Sequence, residues 1–195
     1  MIYILDIETK PNKKFLDLCS ESITAPSHYK DPKKIQNYVK EKRKEIEKKM
    51  ATDSDYCKIF CIGLKPLGQE SKIITIFDLA KILEEDESWT LVTFNGKKFD
   101  LPIIIKQGII KKVKLPYREL MMGCRRYDTS RHIDLFETLS FGNDWKSLDK
   151  YLSIYLGVRK EEINFKTAED DEIIKHCLDD LKLTEALFQE FDALF

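Results

Sequence analysis

No run of apolar residues in this chain reaches the roughly 18 that a membrane-spanning helix requires. The opening stretch Met1-Ile2-Tyr3-Ile4-Leu5 meets Asp6 too early for a secretory h-region, and no small-residue cleavage site follows it. The expectation from these absences is a cytoplasmic protein with no membrane partner. No second Cys/His pair completes a zinc site around Cys57 and Cys61, so their C-x3-C spacing stands alone. Both fall in what reads as one strand, where a four-residue offset puts them on one face, and buried reduced thiols are the expected state. Internal repeats and low-complexity segments are missing. So is an excess of either charge: 33 Lys and Arg balance 34 Asp and Glu for a net charge of −1, and the global balance announces no nucleic-acid partner.

What is present is a chain of 195 residues, about one domain's worth, with 43% hydrophobic and 34% charged residues. That is the composition of a folded soluble domain. Its charge is unevenly distributed. Lys30 to Lys49 carries nine basic residues against four acids, the stretch Lys97 to Arg118 is again mostly basic, and the tail from Glu161 onward is acidic. The first run reads as a solvated helix face, and the second lies beside motif residues where phosphate contact is expected.

Residues 2–7 form a short apolar run suited to a buried central strand. Pro11 and Asn12 break it, and residues 12–56 read as an insertion within a single domain spanning 1–195. Within the insertion, Asp31-Pro32 supplies an N-cap and first-turn proline for a helix to about Met50. Residues 57–65 and 72–77 read as a hairpin, 79–85 as a short helix and 90–94 as another buried strand. A helix is expected from about Phe99, a fifth strand over 131–135, and a helix over 147–156 stopped by Gly157. The last helix, from about Ala168 to Phe195, carries Ile174, Cys177, Leu178, Leu181, Phe188 and Phe191 as its apolar stripe. The order predicts an α/β fold, a mixed five-stranded sheet flanked by helices.

Three segments carry candidate chemistry. Asp6 and Glu8 lie two apart on one strand, so their carboxylates share a face about 7 Å apart and repel unless a cation neutralises them. Asp100 follows the Asn95-Gly96 turn and opens a helix, where an acid also suits the macrodipole. His176 and Asp180 are i, i+4 neighbours on the last helix, beside its apolar stripe.

Together these segments resemble the DEDD superfamily of 3′–5′ exonucleases, which has the RNase H-like fold. The first motif is Asp6-Ile7-Glu8-Thr9, the second is Asn95 through Phe99-Asp100, and the third is the helix bearing Asp180. Phe94-Asn95-Gly96-x-x-Phe99-Asp100-Leu101-Pro102, Arg131-His132-Ile133-Asp134-Leu135 and the Tyr29-to-Ile35 stretch look most like the predicted exonucleases related to the proofreading domain of family B DNA polymerases. One position departs from that group. The third motif there has Tyr-x3-Asp, and His176 stands at the tyrosine's place.

The resemblance implies two divalent cations, Mg²⁺ or Mn²⁺, held by Asp6, Glu8, Asp100 and Asp180, with His176 orienting or deprotonating a water. It implies substrate contacts at Ile7, Thr9, Asn95 and Phe99. Lys97 and Lys98 are expected at phosphates, and Arg125, Arg126 and Arg131 are candidate strand guides. Asp134 reads as structural. The implied partner is nucleic acid, DNA rather than RNA, together with a replication or repair protein. An RNA-trimming exonuclease of the same superfamily, and an inactive nuclease fold serving as a binding module, remain open.

Overall fold

The computed structural model describes residues 1–15, 17, 22–142, 145–161, 163–165 and 167–194. Its strands are β1 (Ile2–Pro11), β2 (Cys57–Pro66), β3 (Lys72–Ile74), β4 (Thr90–Thr93) and β5 (His132–Asp134). Its helices are α1 (Pro32–Met50), α2 (Ile76–Glu85), α3 (Asp100–Ile110), α4 (Tyr117–Gly123), α5 (Leu135–Ser140), α6 (Leu148–Tyr155) and α7 (Asp170–Glu190). The sheet runs β3-β2-β1-β4-β5, with β1, β4 and β5 parallel and β3 antiparallel to β2. This is the expected mixed five-stranded α/β architecture. No helix among the described residues is long and apolar enough to cross a membrane.

The chain divides into two compact units, Met1–Glu8 with Phe60–Phe195, and Thr9–Ile59. In the smaller unit, Asp31 caps α1 by accepting from the Lys33 amide, Pro32 opens the helix, and Lys48 and Lys49 complement its carboxyl end.

In the larger unit the register explains the core. Ile4 stands opposite Val92 and Val92 opposite Ile133, one apolar row across three parallel strands. Leu135 and Leu139 of α5, Leu148, Tyr151 and Leu152 of α6, and Leu181, Leu187 and Phe188 of α7 pack with that row. Full burial of each such side chain is worth roughly 1.5–3 kcal/mol, so this layer fixes α7 against the sheet. Asp6 and Glu8 continue the Ile4 face toward the carboxyl end of β1, because strand side chains alternate.

Several boundaries differ from the sequence reading. The second hairpin strand ends at Ile74, because the side chain of Thr75 accepts from the Asp78 amide while Asp78 accepts from the Thr75 amide. That reciprocal cap starts α2 at Ile76, inside the stretch expected to be extended. Two short helices, α4 and α5, were not expected; seven and six residues are too few to display a helical period. On α7 the buried face comprises Ile173, Cys177, Asp180, Leu181, Thr184, Leu187 and Phe188. Ile174, expected in the stripe, is only half-buried, and α7 ends at Glu190, short of the expected Phe195. Cys57 and Cys61 are buried thiols, as expected, while Cys19 lies outside the described residues.

Candidate active site

The parallel strands β1, β4 and β5 each deliver functional groups at their carboxyl ends, where ligands bind in open α/β sheets. β1 brings Asp6 and Glu8. After β4 the chain turns sharply: Asn95 adopts φ 69°, a left-handed conformation that asparagine tolerates. At Gly96 any Cβ would meet Thr93 Oγ1 at 2.2 Å. The turn is held by Asp134 at the end of β5, whose carboxylate accepts from the amides of Asn95 (2.8 Å), Lys97 (3.0 Å) and Phe136 (3.0 Å). Three backbone donors on one carboxylate make Asp134 a structural residue that fixes the second motif and starts α5.

A second brace lies behind it. His132 is fully buried, with Nδ1 2.9 Å from the Gly123 carbonyl and Nε2 2.8 Å from Thr93 Oγ1. A carbonyl only accepts, so Nδ1 carries the proton and Nε2 accepts from the Thr93 hydroxyl. Thr93 Oγ1 in turn accepts from the Gly96 amide at 3.0 Å. Burial pulls the imidazole down to about 4, so it stays neutral.

Asp100, the first residue of α3, is 3% exposed, and its Oδ1 accepts from the Ile7 amide at 3.1 Å. Burial, then Asp6, then Asp134 hold its carboxyl well above the usual range, against the pull of the backbone hydrogen bonds. Burial and Asp180 push Asp6 up to about 7. Burial, Asp6 and Asp180 push Glu8 up to about 9. Carboxylates from three distant segments therefore interact strongly, and two of their oxygens, Asp6 Oδ2 and Asp180 Oδ1, are buried without a hydrogen-bond partner. Unsatisfied, mutually repelling carboxylate oxygens are the donor set a hard cation prefers. Among the described residues no three His, Cys, Asp or Glu side chains are gathered closely enough to hold a metal ion.

The sequence reading missed Lys160. Its ammonium lies on Asp180 Oδ2 and also lowers the carboxyl pKa values of Asp6 and Glu8. Its only sequence signal is the Arg159-Lys160 pair ahead of the acidic tail. His176 places Nε2 3.9 Å from Asp180 Oδ2, beyond a hydrogen bond, and its ring meets Phe165 edge-on at 5.3 Å. Desolvation lowers its pKa against the opposing effect of Asp180. His176, Lys160 and Asp180 line one side of a cavity of about 380 Å³.

The expected substrate residues divide. Lys98 is exposed and Phe99 half-buried at the turn. Lys97 is 8% exposed, its ammonium bonded to Glu137 (2.7 Å) and the Asp128 carbonyl (2.8 Å). That pairing braces the turn. The Ile7 amide is taken by Asp100, and the Thr9 hydroxyl donates to the Ala51 carbonyl within the smaller unit. Of the candidate strand guides, Arg131 is used internally, on the carbonyls of Glu87 and Trp89.

Residues 46–158 match a family described as a predicted 3′–5′ exonuclease related to the exonuclease domain of PolB. The chain belongs to that family. The matched stretch of this exonuclease-family chain contains Asn95, Phe99, Asp100 and Asp134, while Asp6, Glu8, His176 and Asp180 lie outside it. Its fold is similar to that of the family B DNA polymerase from the hyperthermophilic archaeon Pyrobaculum calidifontis, with a TM-score of 0.59 at 14% identity. The similarity covers 97% of this chain and 24% of the polymerase, so the chain spans about a quarter of that protein. No curated protein matches the sequence.

Proposed function

We propose that this chain hydrolyses nucleic acid stepwise from the 3′ end with two divalent cations, Mg²⁺ or Mn²⁺, and that its substrate is DNA. The observation that carries the reading is the mutual electrostatic coupling of Asp6, Glu8, Asp100 and Asp180, with two of their buried oxygens unpartnered. These four carboxylates would hold the cations once drawn together around them, since in the structure no three of them are gathered closely enough to do so. Bound cations supply charge neutralisation at a phosphodiester and acidity at an attacking water. The Ile7 amide keeps Asp100 oriented toward β1. His176, kept neutral by desolvation, accepts a proton near Asp180. Asn95, Phe99 and Lys98, on the turn that Asp134 fixes, meet the terminal nucleotides. In this reading residues 1–195 act as one exonuclease domain with residues 12–56 inserted. The relation of the family to a DNA polymerase domain supports DNA as substrate.

The test is direct. The protein is incubated with 5′-labelled single- and double-stranded DNA and RNA in Mg²⁺, Mn²⁺ or EDTA, beside Asp6→Ala and Asp180→Ala. The expected result is a ladder shortening from the 3′ end on DNA, absent in EDTA and in both variants. A ladder on RNA alone replaces DNA by RNA as substrate. Tight binding in EDTA with no product in any metal overturns the catalytic reading in favour of a binding module.

A further inference from the structure

A second cavity, of about 230 Å³, lies at the Asn95–Lys98 turn, and its walls include Phe136, Trp145, Lys98 and Arg126. At roughly 30 Å³ per water this is room for about eight, the scale of one planar heterocycle. Phe136 and Trp145 stack with ring centroids 4.7 Å apart and planes 30° apart. Phe136 in turn meets Phe94 edge-on at 5.5 Å, and Phe94 meets the buried Tyr151 at 6.0 Å. The outer ring therefore rests on a stack anchored in the core, while Trp145 itself is 40% exposed. Lys98 holds its ammonium 4.6 Å from the Trp145 centroid. Arg126, with its side chain 63% exposed, stands 3.9 Å from Glu137.

We propose that the Phe136–Trp145 stack is a subsite for a nucleobase of a single-stranded nucleic acid, with Lys98 and Arg126 meeting the adjoining phosphates. The proposal rests on the exonuclease reading and names a binding element for it. A fixed aromatic platform rimmed by cations suits a base joined to a phosphate. An anion alone would need no ring, and an apolar ligand would need no cations. Lys98 covers the ring face, and an entering base displaces its ammonium toward a phosphate. Asp134, whose carboxylate fixes the Asn95–Lys97 turn ahead of Asp100, also lines this cavity.

The chain has two tryptophans, and Trp89 is 3% exposed, so a fluorescence change on binding reports Trp145. Oligothymidylate and oligouridylate of about ten nucleotides are titrated in EDTA. Saturable quenching is expected, stronger for whichever sugar the protein prefers. Trp145→Ala should abolish the quench and weaken binding about 5- to 150-fold. Trp145→Phe should restore most of the affinity, and Lys98→Gln should reduce the slope of log K against log salt by about 0.7. Wild-type protein that binds the oligonucleotides in EDTA without quenching, or with affinity unchanged in Trp145→Ala, and shortens them in Mn²⁺ overturns the subsite alone. Wild-type protein that neither binds them in EDTA nor shortens them in Mn²⁺ overturns the exonuclease reading as well. Should Trp145→Ala fail to fold, the wild-type quench and the phenylalanine variant still decide.

Discussion

The Ile7 amide donates to Asp100 Oδ1 at 3.1 Å across 93 residues of chain. This bond joins the first acidic motif to the second. It also ties the start of α3 to β1, so the acid cluster is built by the same contact that docks a helix on the sheet.

Asp100→Asn separates those two roles. The amide oxygen still accepts from Ile7, while the charge that burial and Asp6 disfavour is removed. The expected outcome is an unchanged or higher Tm at pH 8 with nuclease activity at least about a hundredfold lower. A large loss of stability would show that the ionised carboxylate itself holds the fold together.

The metal-free protein should lose stability as pH rises. Asp6 and Glu8 have folded-state values near 7 and 9, above the ordinary carboxylate range. Between the unfolded and folded values the native state binds more protons, so stability is fully present below about pH 4. It falls through pH 7 for Asp6 and pH 9 for Glu8, by at most about 1.4 kcal/mol per pH unit per proton. Water around the half-buried Glu8 reduces that figure. Urea denaturation from pH 5 to 9 in EDTA measures the slope, and saturating Mn²⁺ should flatten it, because a cation replaces the protons.

In the proposed reading Lys160 would compete with a divalent cation for Asp180. The two side chains are 24% and 11% exposed, so removing the ammonium leaves a largely buried carboxylate unpaired. Lys160→Gln should lower metal-free stability by about 1–3 kcal/mol and tighten Mn²⁺ binding measured by calorimetry. Unchanged metal affinity would remove Lys160 from the cation site.

Gly96→Ala should destabilise the protein by roughly 1–3 kcal/mol, since the new methyl meets Thr93 Oγ1 and that hydroxyl cannot retreat without releasing His132. Imidazole ¹⁵N shifts provide the local readout. In the parent, His132 should remain neutral with the proton on Nδ1 down to about pH 5, consistent with its value near 4. In the variant its titration should move toward 6.5.

The strands, the long helices and their order were legible because each carries its own period, cap or turn. Asp31-Pro32 marks the start of α1, and Gly157, at φ 65°, marks the stop after α6. The short α4 and α5 were not legible, since their ends are set by tertiary partners; α5 begins where Asp134 binds the turn of Asn95 and Lys97.

At the candidate site, the amino-acid order by itself determined which acids were available and that Asp6 and Glu8 share a face, because strand geometry is local. Only the tertiary structure decided which charges they meet. Lys97 turned inward to Glu137, Lys160 reached Asp180 over 20 residues, and Asp134 became a brace for the turn. The reason is that a side chain's partner depends on packing between distant segments, and no spacing along the chain encodes that distance.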